Sequence, residues 1–258
     1  MTSLAARNVL KALVLPVLLA VAWQLMSQQG AEYAFAFVPL SDVWHSFLEL
    51  LSSGELPLQV LASLSTAMKG LLIGGVAGFT LALLMGFSRF FDALFSPLFH
   101  AMRHVPNVAL IPLIVLWFGN TELSKLLVVS LSVFEVMVLN TYEGLHSVDR
   151  RLIDVGRALT LSRVSIFRYI RVPAALPSIC TGVQHAIAFA WLSTIAVELL
   201  FLVGPGLGTI MERGQMAARM DTVVICLVFI AILGFSIHQL SLLVSRRLLR
   251  WRQAAYER

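Results

Sequence analysis

An all-α integral membrane protein of six transmembrane helices is what this sequence predicts. It is apolar almost throughout, six of its apolar runs are long enough to cross a bilayer, and its basic residues gather on one side of those runs. Hydrophobic residues fill 59% of the 258 positions and charged residues only 13%, with a mean hydropathy of +0.86. Soluble domains run near ~45–50% apolar and about 25% charged, so most of this chain is solvated by lipid or by its own helices. A helix needs about 20 apolar residues to cross roughly 30 Å of hydrocarbon. Runs at about 10–27, 64–87, 97–117, 123–142, 179–202 and 222–245 meet that length, and residues 1–258 read as one transmembrane domain.

The first run follows Arg7 and Lys11, the layout of a signal peptide, but its apolar stretch is longer than a signal core and no small-x-small cleavage site follows. It reads as a retained span. Residues 28–63 hold no Lys or Arg, and Trp44, Phe47, Leu48 and Leu51 fall at i, i+3, i+4, i+7 spacing, which predicts a short helix lying on the outer membrane face or packed against the bundle. In the second run Gly70, Gly74, Gly78, Ala82 and Gly86 recur every four residues, a small-residue stripe that lets another helix approach closely. The third is interrupted by Pro106 and Pro112, which remove backbone donors and are expected to kink it. Such breaks survive in a membrane where protein or a watery cavity covers the freed carbonyls, so Pro106, Asn107 and Pro112 are expected to line a path. Glu135 and Asn140 in the fourth run and His185 and Glu198 in the fifth are costly at membrane depth, and they join that expected lining. For Glu198 a helix-terminus role stands equally, because the turn Gly204-Pro205-Gly206-Leu207-Gly208 follows it, and His185 reads also as an interhelical hydrogen-bond partner.

Of the 19 Lys and Arg residues, all but Lys69, Lys125, Arg213 and Arg219 fall on one side when the N-terminus is placed in the cytoplasm, which puts both termini there. Membrane orientation therefore accounts for the net charge of +5 without nucleic acid. Cys180 and Cys226 sit in separate apolar runs with no partner spacing, so neither a disulfide nor a metal site is expected. No GxxxxGK[ST], HExxH or nucleophile elbow occurs, and the glycine-rich turn lacks the Lys-Ser/Thr of a phosphate loop. Any ATP used must be bound by another subunit.

Between the fourth and fifth runs, about 147–178, lies DRRLIDVGRALTLSRVSIFRYIRVPAALPSI, with six arginines, small residues, an apolar run and a proline exit. It resembles the ATPase-docking loop of binding-protein-dependent ABC transporter permeases. RHVPNVALIPLIVLWFG (103–119), VPAALPSICTGVQHAI (172–187), the Glu198 and Gly204–Gly208 region, Met220-Asp221-Thr222-Val223-Val224 and Arg250-Trp251-Arg252 continue the resemblance in order, over about 38–252. The blocks are similar to those of the aliphatic-sulfonate, taurine and nitrate permeases.

That resemblance implies a type I ABC importer permease fold in the cell inner membrane, working by alternating access. It implies two permease copies as a homodimer, two cytoplasmic ATPases that bind ATP and Mg, and an extracytoplasmic solute-binding protein; this chain would bind no cofactor itself. The implied solute is an aliphatic sulfonate, with taurine, nitrate or a thiamine-precursor pyrimidine as alternatives. The docking positions carried over are Asp154, where Glu is usual, Gly156 for the family alanine and Thr160 for its glycine, with Leu176-Pro177 closing the loop. A short helix around 154–165 would seat Leu159, Leu161 and Val164 in an ATPase groove while Arg157 and Arg163 set register. Thr160-Leu161-Ser162 would cap the helix that follows, since Thr resists the backbone that Gly supplies. Phe134-Glu135-Val136 departs from the family's aromatic-Pro. A proton-coupled secondary transporter relaying through Glu135 and Glu198 is the competing class, disfavoured by the lack of an evident inverted repeat, and a membrane enzyme is weaker still.

Overall fold

The computed structural model describes residues 2–30, 33 and 37–248, which are helical with no strand among them. The Arg250-Trp251-Arg252 block and Arg258 lie outside the described residues, as do the side chains of Arg7, Lys11 and Arg246. Helix α1 (Thr2–Ser27) is tied to the next segment by Trp23 Nε1, which donates to the Val38 carbonyl at 2.9 Å, and by Gln24 Oε1, which accepts from the Leu40 N–H at 3.0 Å. Helix α2 (Leu40–Ser52) divides the expected apolar stripe. Phe47 stacks on Phe229 of the bundle, whereas Trp44, Leu48 and Leu51 stay exposed. Gly54, at φ 75°, then turns the chain into α3 (Glu55–Phe87).

Helix α4 (Arg89–Met102) ends at a break, after which a 3-10 turn (Asn107–Leu110) and α5 (Ile111–Phe118) leave at 91°. Helix α6 (Glu122–His146) starts at Thr121, whose Oγ1 accepts from the Ser124 N–H. There follow α7 (Arg150–Ala158), α8 (Arg163–Ile166), a π turn (Phe167–Arg171), α9 (Val172–Phe201), α10 (Leu207–Met216) and α11 (Met220–Leu248).

By length and apolarity, three stretches could each cross a membrane: α3, the continuous rod Arg163–Phe201, and Met220–Leu243 of α11. The bent α4–α5 pair makes a fourth if it counts as one span, so these criteria alone fall short of the expected six. Helix α1 is 26 residues long, and its described apolar stretch is Val17–Ser27. At 25 residues α6 is long enough, but Glu122, Lys125, Glu135 and Glu143 lie along it. It runs between α3 and α9 with Val128, Val129, Val133 and Val138 buried, and a helix sheltered by others need not be apolar all round.

The α3–α6 contact rests on the glycine stripe. A Cβ at Gly70 would strike Val129, at Gly74 the Ser130 carbonyl, at Gly78 the Phe134 carbonyl and at Gly86 the Leu145 side chain. Only hydrogen at these positions lets the two backbones lie this close. At one end of the bundle Arg171 Nη1 donates to the Gly86 carbonyl at 3.2 Å, a cation on the C-terminus of α3. At the other end Ser46 hydrogen-bonds Asp221, and Arg219 bridges Asp221 at 3.1 Å and Glu49 at 3.5 Å, joining α2 to the start of α11. The Asp221 hydrogen bond and charge hold the Arg219 guanidinium above its usual range.

Candidate functional site

The arginine-rich segment folds as α7, a tight turn and the α8–α9 rod. Asp149 starts α7, its carboxylate accepting from the Arg151 N–H at 2.9 Å. The helix stops when the Leu161 N–H donates to the Gly156 carbonyl (3.1 Å) and the Thr160 N–H to the Arg157 carbonyl (2.9 Å), with Thr160 at φ 58°. This pair of bonds is a Schellman closure, whose left-handed residue ends a helix. Ser162 opens the next one, its Oγ accepting from the Ser165 N–H at 3.1 Å. The single helix expected around 154–165 is therefore two, parted at Leu159–Ser162. The cap expected from Thr160-Leu161-Ser162 belongs to Ser162, while Thr160 Oγ1 donates back to the Leu159 carbonyl.

One side of α7 faces the rod. Ile153 and Ile166 are buried with Val148, and Ile170 packs against them. Gly156 is buried because a Cβ there would lie 2.6 Å from Ile170 Cδ1. The other side is uncovered: Leu152, Val155, Leu159 (66% exposed), Leu161 and Val164 (59%) form an apolar strip among Arg150, Arg151, Arg157 and Arg163. Asp154 and Arg157 pair across one helical turn at 3.0 Å, both exposed. Such a segment is too charged for hydrocarbon, and it leaves an apolar strip uncovered among the described residues.

At the break between α4 and α5, Pro106 precedes the 3-10 turn and Pro112 sits in the first turn of α5. Both prolines begin helices, where a missing N–H costs nothing, rather than kinking a continuous span over 97–117. Asn107 is brought onto α6: its Nδ2 donates to Ser132 Oγ at 3.2 Å and to Glu135 Oε2 at 2.9 Å. Glu135 is half-buried there. Asn140 donates to the Val136 carbonyl of its own helix at 2.8 Å and packs on Gly182 of α9, while His185 is exposed on α9 with no side-chain hydrogen bond among the described residues.

Glu198 is placed elsewhere, wholly buried at the opposite end of the bundle from Arg171. Its Oε2 accepts from the Gly208 N–H at 3.0 Å, and Ser63 Oγ donates to its carboxylate at 2.8 and 2.9 Å. Ser63 Oγ accepts from the Leu207 N–H at 2.8 Å and Gln59 Oε1 from the Gly206 N–H at 2.5 Å. Three side chains thus take the first N–H groups of α10, and the carboxylate complements its dipole. A Cβ at Gly206 or Gly208 would run into Glu198, which is why the turn is rich in glycine. Of the two readings for Glu198, the geometry is that of a helix terminus, so Glu198 leaves the expected lining. Sequence reasoning missed Gln59, Ser63 and Lys125, which is 2% exposed and donates from Nζ to the Val203 carbonyl at 2.5 Å. Gln59 and Ser63, one turn apart ahead of the apolar run, were the available signal.

Residues 70–250 match the family described as the binding-protein-dependent transport system inner membrane component. The chain belongs to this family. The permease is 34% identical over 240 residues to the putative aliphatic sulfonates transport permease protein SsuC of Escherichia coli (strain K12), covering 93% of this chain and 91% of that one. It is 30% identical over 190 residues to the taurine transport system permease protein TauC of the same organism, covering 74% and 69%. Among solved structures, a chain of an amino acid ABC transporter with histidines superposes with a TM-score of 0.66 at 17% identity, over 78% of this chain and 98% of that one, which establishes a shared fold. The protein is thus an ABC transporter permease and not an enzyme, and ATP hydrolysis belongs to separate ATPase subunits.

Proposed function

We propose that this permease is the membrane-spanning subunit of an ATP-driven importer for an aliphatic sulfonate delivered by an extracytoplasmic binding protein. The uncovered apolar strip of α7 and α8 carries the reading: it lies before and at the very start of the rod Arg163–Phe201, amid arginines, and suits a groove on a cytoplasmic ATPase. ATP closure of two ATPases would then push on α7 and rock the rigid α3–α6–α9 bundle, because α7 is seated on the rod through Ile153 and Gly156. A second copy of the permease would cover the break at 103–106. Its residues and the apolar Leu116 and Trp117 beyond it are exposed, and non-helical backbone is tolerated at membrane depth only under protein or beside a watery cavity. The sulfonate assignment takes its support from the SsuC relative, and taurine, nitrate or a pyrimidine stand behind it.

The test is co-purification of the ATPase with a Leu159→Glu, Val164→Glu double variant. Both side chains point away from the core, so the permease should fold at normal yield and lose the ATPase. Losing buried contact anchors costs ~2 kcal/mol or more each, which is at least a thirtyfold weaker complex. Undiminished recovery of the ATPase would remove the docking surface from the proposal.

A further inference from the structure

Glu198, wholly buried, and Glu135, half-buried, are treated in opposite ways. Glu198 is surrounded by donors: Ser63 Oγ, the Gly208 N–H and, at longer range, the charge of Lys125. Glu135 accepts one hydrogen bond, from Asn107 Nδ2. That amide's two hydrogens are committed, one to Glu135 and the other to Ser132 Oγ, and the Ser132 hydroxyl is itself committed to the Val128 carbonyl at 3.0 Å. Asn107 Oδ1 is buried and accepts from no group among the described residues. Every side-chain donor in the cluster is used, so its open side-chain capacity is acceptor capacity alone, with a carboxylate at its centre.

The cations that could have neutralised Glu135 stand elsewhere. Lys69 and Arg103 are exposed, and among the described residues Glu135 enters no ion pair. The cluster also lies where something can reach it: α3 and α9 cover two sides of α6, whereas the side bearing Ser132 and Glu135 meets the interrupted stretch at Asn107, and Glu135 keeps part of its surface open. An ionisable group at membrane depth needs a partner, and a bare alkanesulfonate would be repelled by this one.

We propose that Asn107, Ser132 and Glu135 form a solute contact for a cationic N–H donor, so that the sulfonate carried is an amino-substituted one. This rests on the sulfonate-importer reading and moves it from a bare alkanesulfonate to taurine or another amino-substituted one. The ammonium group would donate to Glu135 and to Asn107 Oδ1, satisfying both acceptors at once, while the sulfonate end would lie away from the carboxylate.

The experiment compares 2-aminoethanesulfonate with ethanesulfonate, which differ by the amino group, in proteoliposomes holding the whole importer and one unchanged binding protein. Wild type should take up the amino compound faster. Glu135→Gln should lower its uptake about tenfold, the scale of a lost charge-assisted hydrogen bond, and leave ethanesulfonate unchanged or faster, whereas Glu135→Asp should retain the preference. Because the binding protein is constant, a changed ratio belongs to the permease. An unchanged ratio in Glu135→Gln, with ATP-driven uptake intact, would overturn the contact and leave the importer standing. A wild type that takes up neither compound would instead overturn the sulfonate reading. Saturation-transfer NMR on the purified permease–ATPase complex then decides the contact separately: signal from 2-aminoethanesulfonate that vanishes in Glu135→Gln supports it, and equal signal from both proteins rejects it.

Discussion

Thr160 holds a left-handed backbone, φ 58°, at the position that ends α7, and among the described residues its side chain hydrogen-bonds its neighbour's carbonyl alone. An L-residue there costs roughly 1–2 kcal/mol, against which glycine loses about 0.5–1 kcal/mol of chain entropy. Thr160→Gly should therefore raise stability by up to about 1 kcal/mol while ATPase co-purification is unchanged. Thermal unfolding of the purified permease measures it, and a lowered midpoint would mean that the threonine side chain makes a stabilising contact. The sequence showed Thr160 standing where the family has glycine, and it suggested a changed turn. The turn persists because two backbone hydrogen bonds close it whatever the side chain. Glu198 was legible as an expensive residue, but its partner Ser63 lies 135 positions away, and no periodicity in one strand of sequence pairs groups that only folding brings together.

Helices were the most legible level, since their apolar runs and glycine stripe are local patterns. The four-residue stripe in α3 predicted a close partner without naming it, and the partner is α6. Gly74→Ala places a methyl group against the backbone of Ser130 and Phe134, which cannot rotate aside, so it should cost ~1–3 kcal/mol and reduce folded yield. Gly75→Ala is the internal control: its nearest contact would be Val133 Cγ1 at 3.9 Å, and alanine's helix propensity should make it neutral or stabilising by up to about 1 kcal/mol. Equal behaviour of the two variants in detergent stability assays would show that α3 and α6 are not packed this closely. Local pattern found the interruption of the third run, which falls just before Pro106, but took the prolines for kinks where they start helices. The helix over 154–165 was read across a turn that no glycine announces.

At the scale of the whole molecule, polar contacts gather at two ends a membrane's breadth apart, with the Asn107–Ser132–Glu135 cluster between them. Gly86 and Arg171 meet at one end, which also holds the arginines of α7 and α8. At the other, Gln59 and Ser63 meet Gly206 and Leu207, Lys125 meets Val203, and Ser46 meets Asp221. Between them α3 extends for 33 residues, about 50 Å at 1.5 Å per residue, enough to cross hydrocarbon with turns to spare on both sides. Helices α3, α6, α9 and α11 each start at one of these ends and finish at the other, and the α4–α5 pair departs from the Gly86 end and returns near Ser124, whose hydroxyl donates to the Gly119 carbonyl at 2.6 Å. If all five of these passages cross the membrane, Gly54 and the C-terminus stand on opposite sides. The positive-inside bias would put the arginine-rich end in the cytoplasm. A reporter fused after Arg258 should accordingly be active only as a cytoplasmic reporter, and one inserted at Gly54, an exposed turn with nothing packed against it, only as an external one. Finding both reporters on the same side would mean that one of these helices does not cross, and the bent pair, with its 91° break, would be the first to reassign as a re-entrant loop.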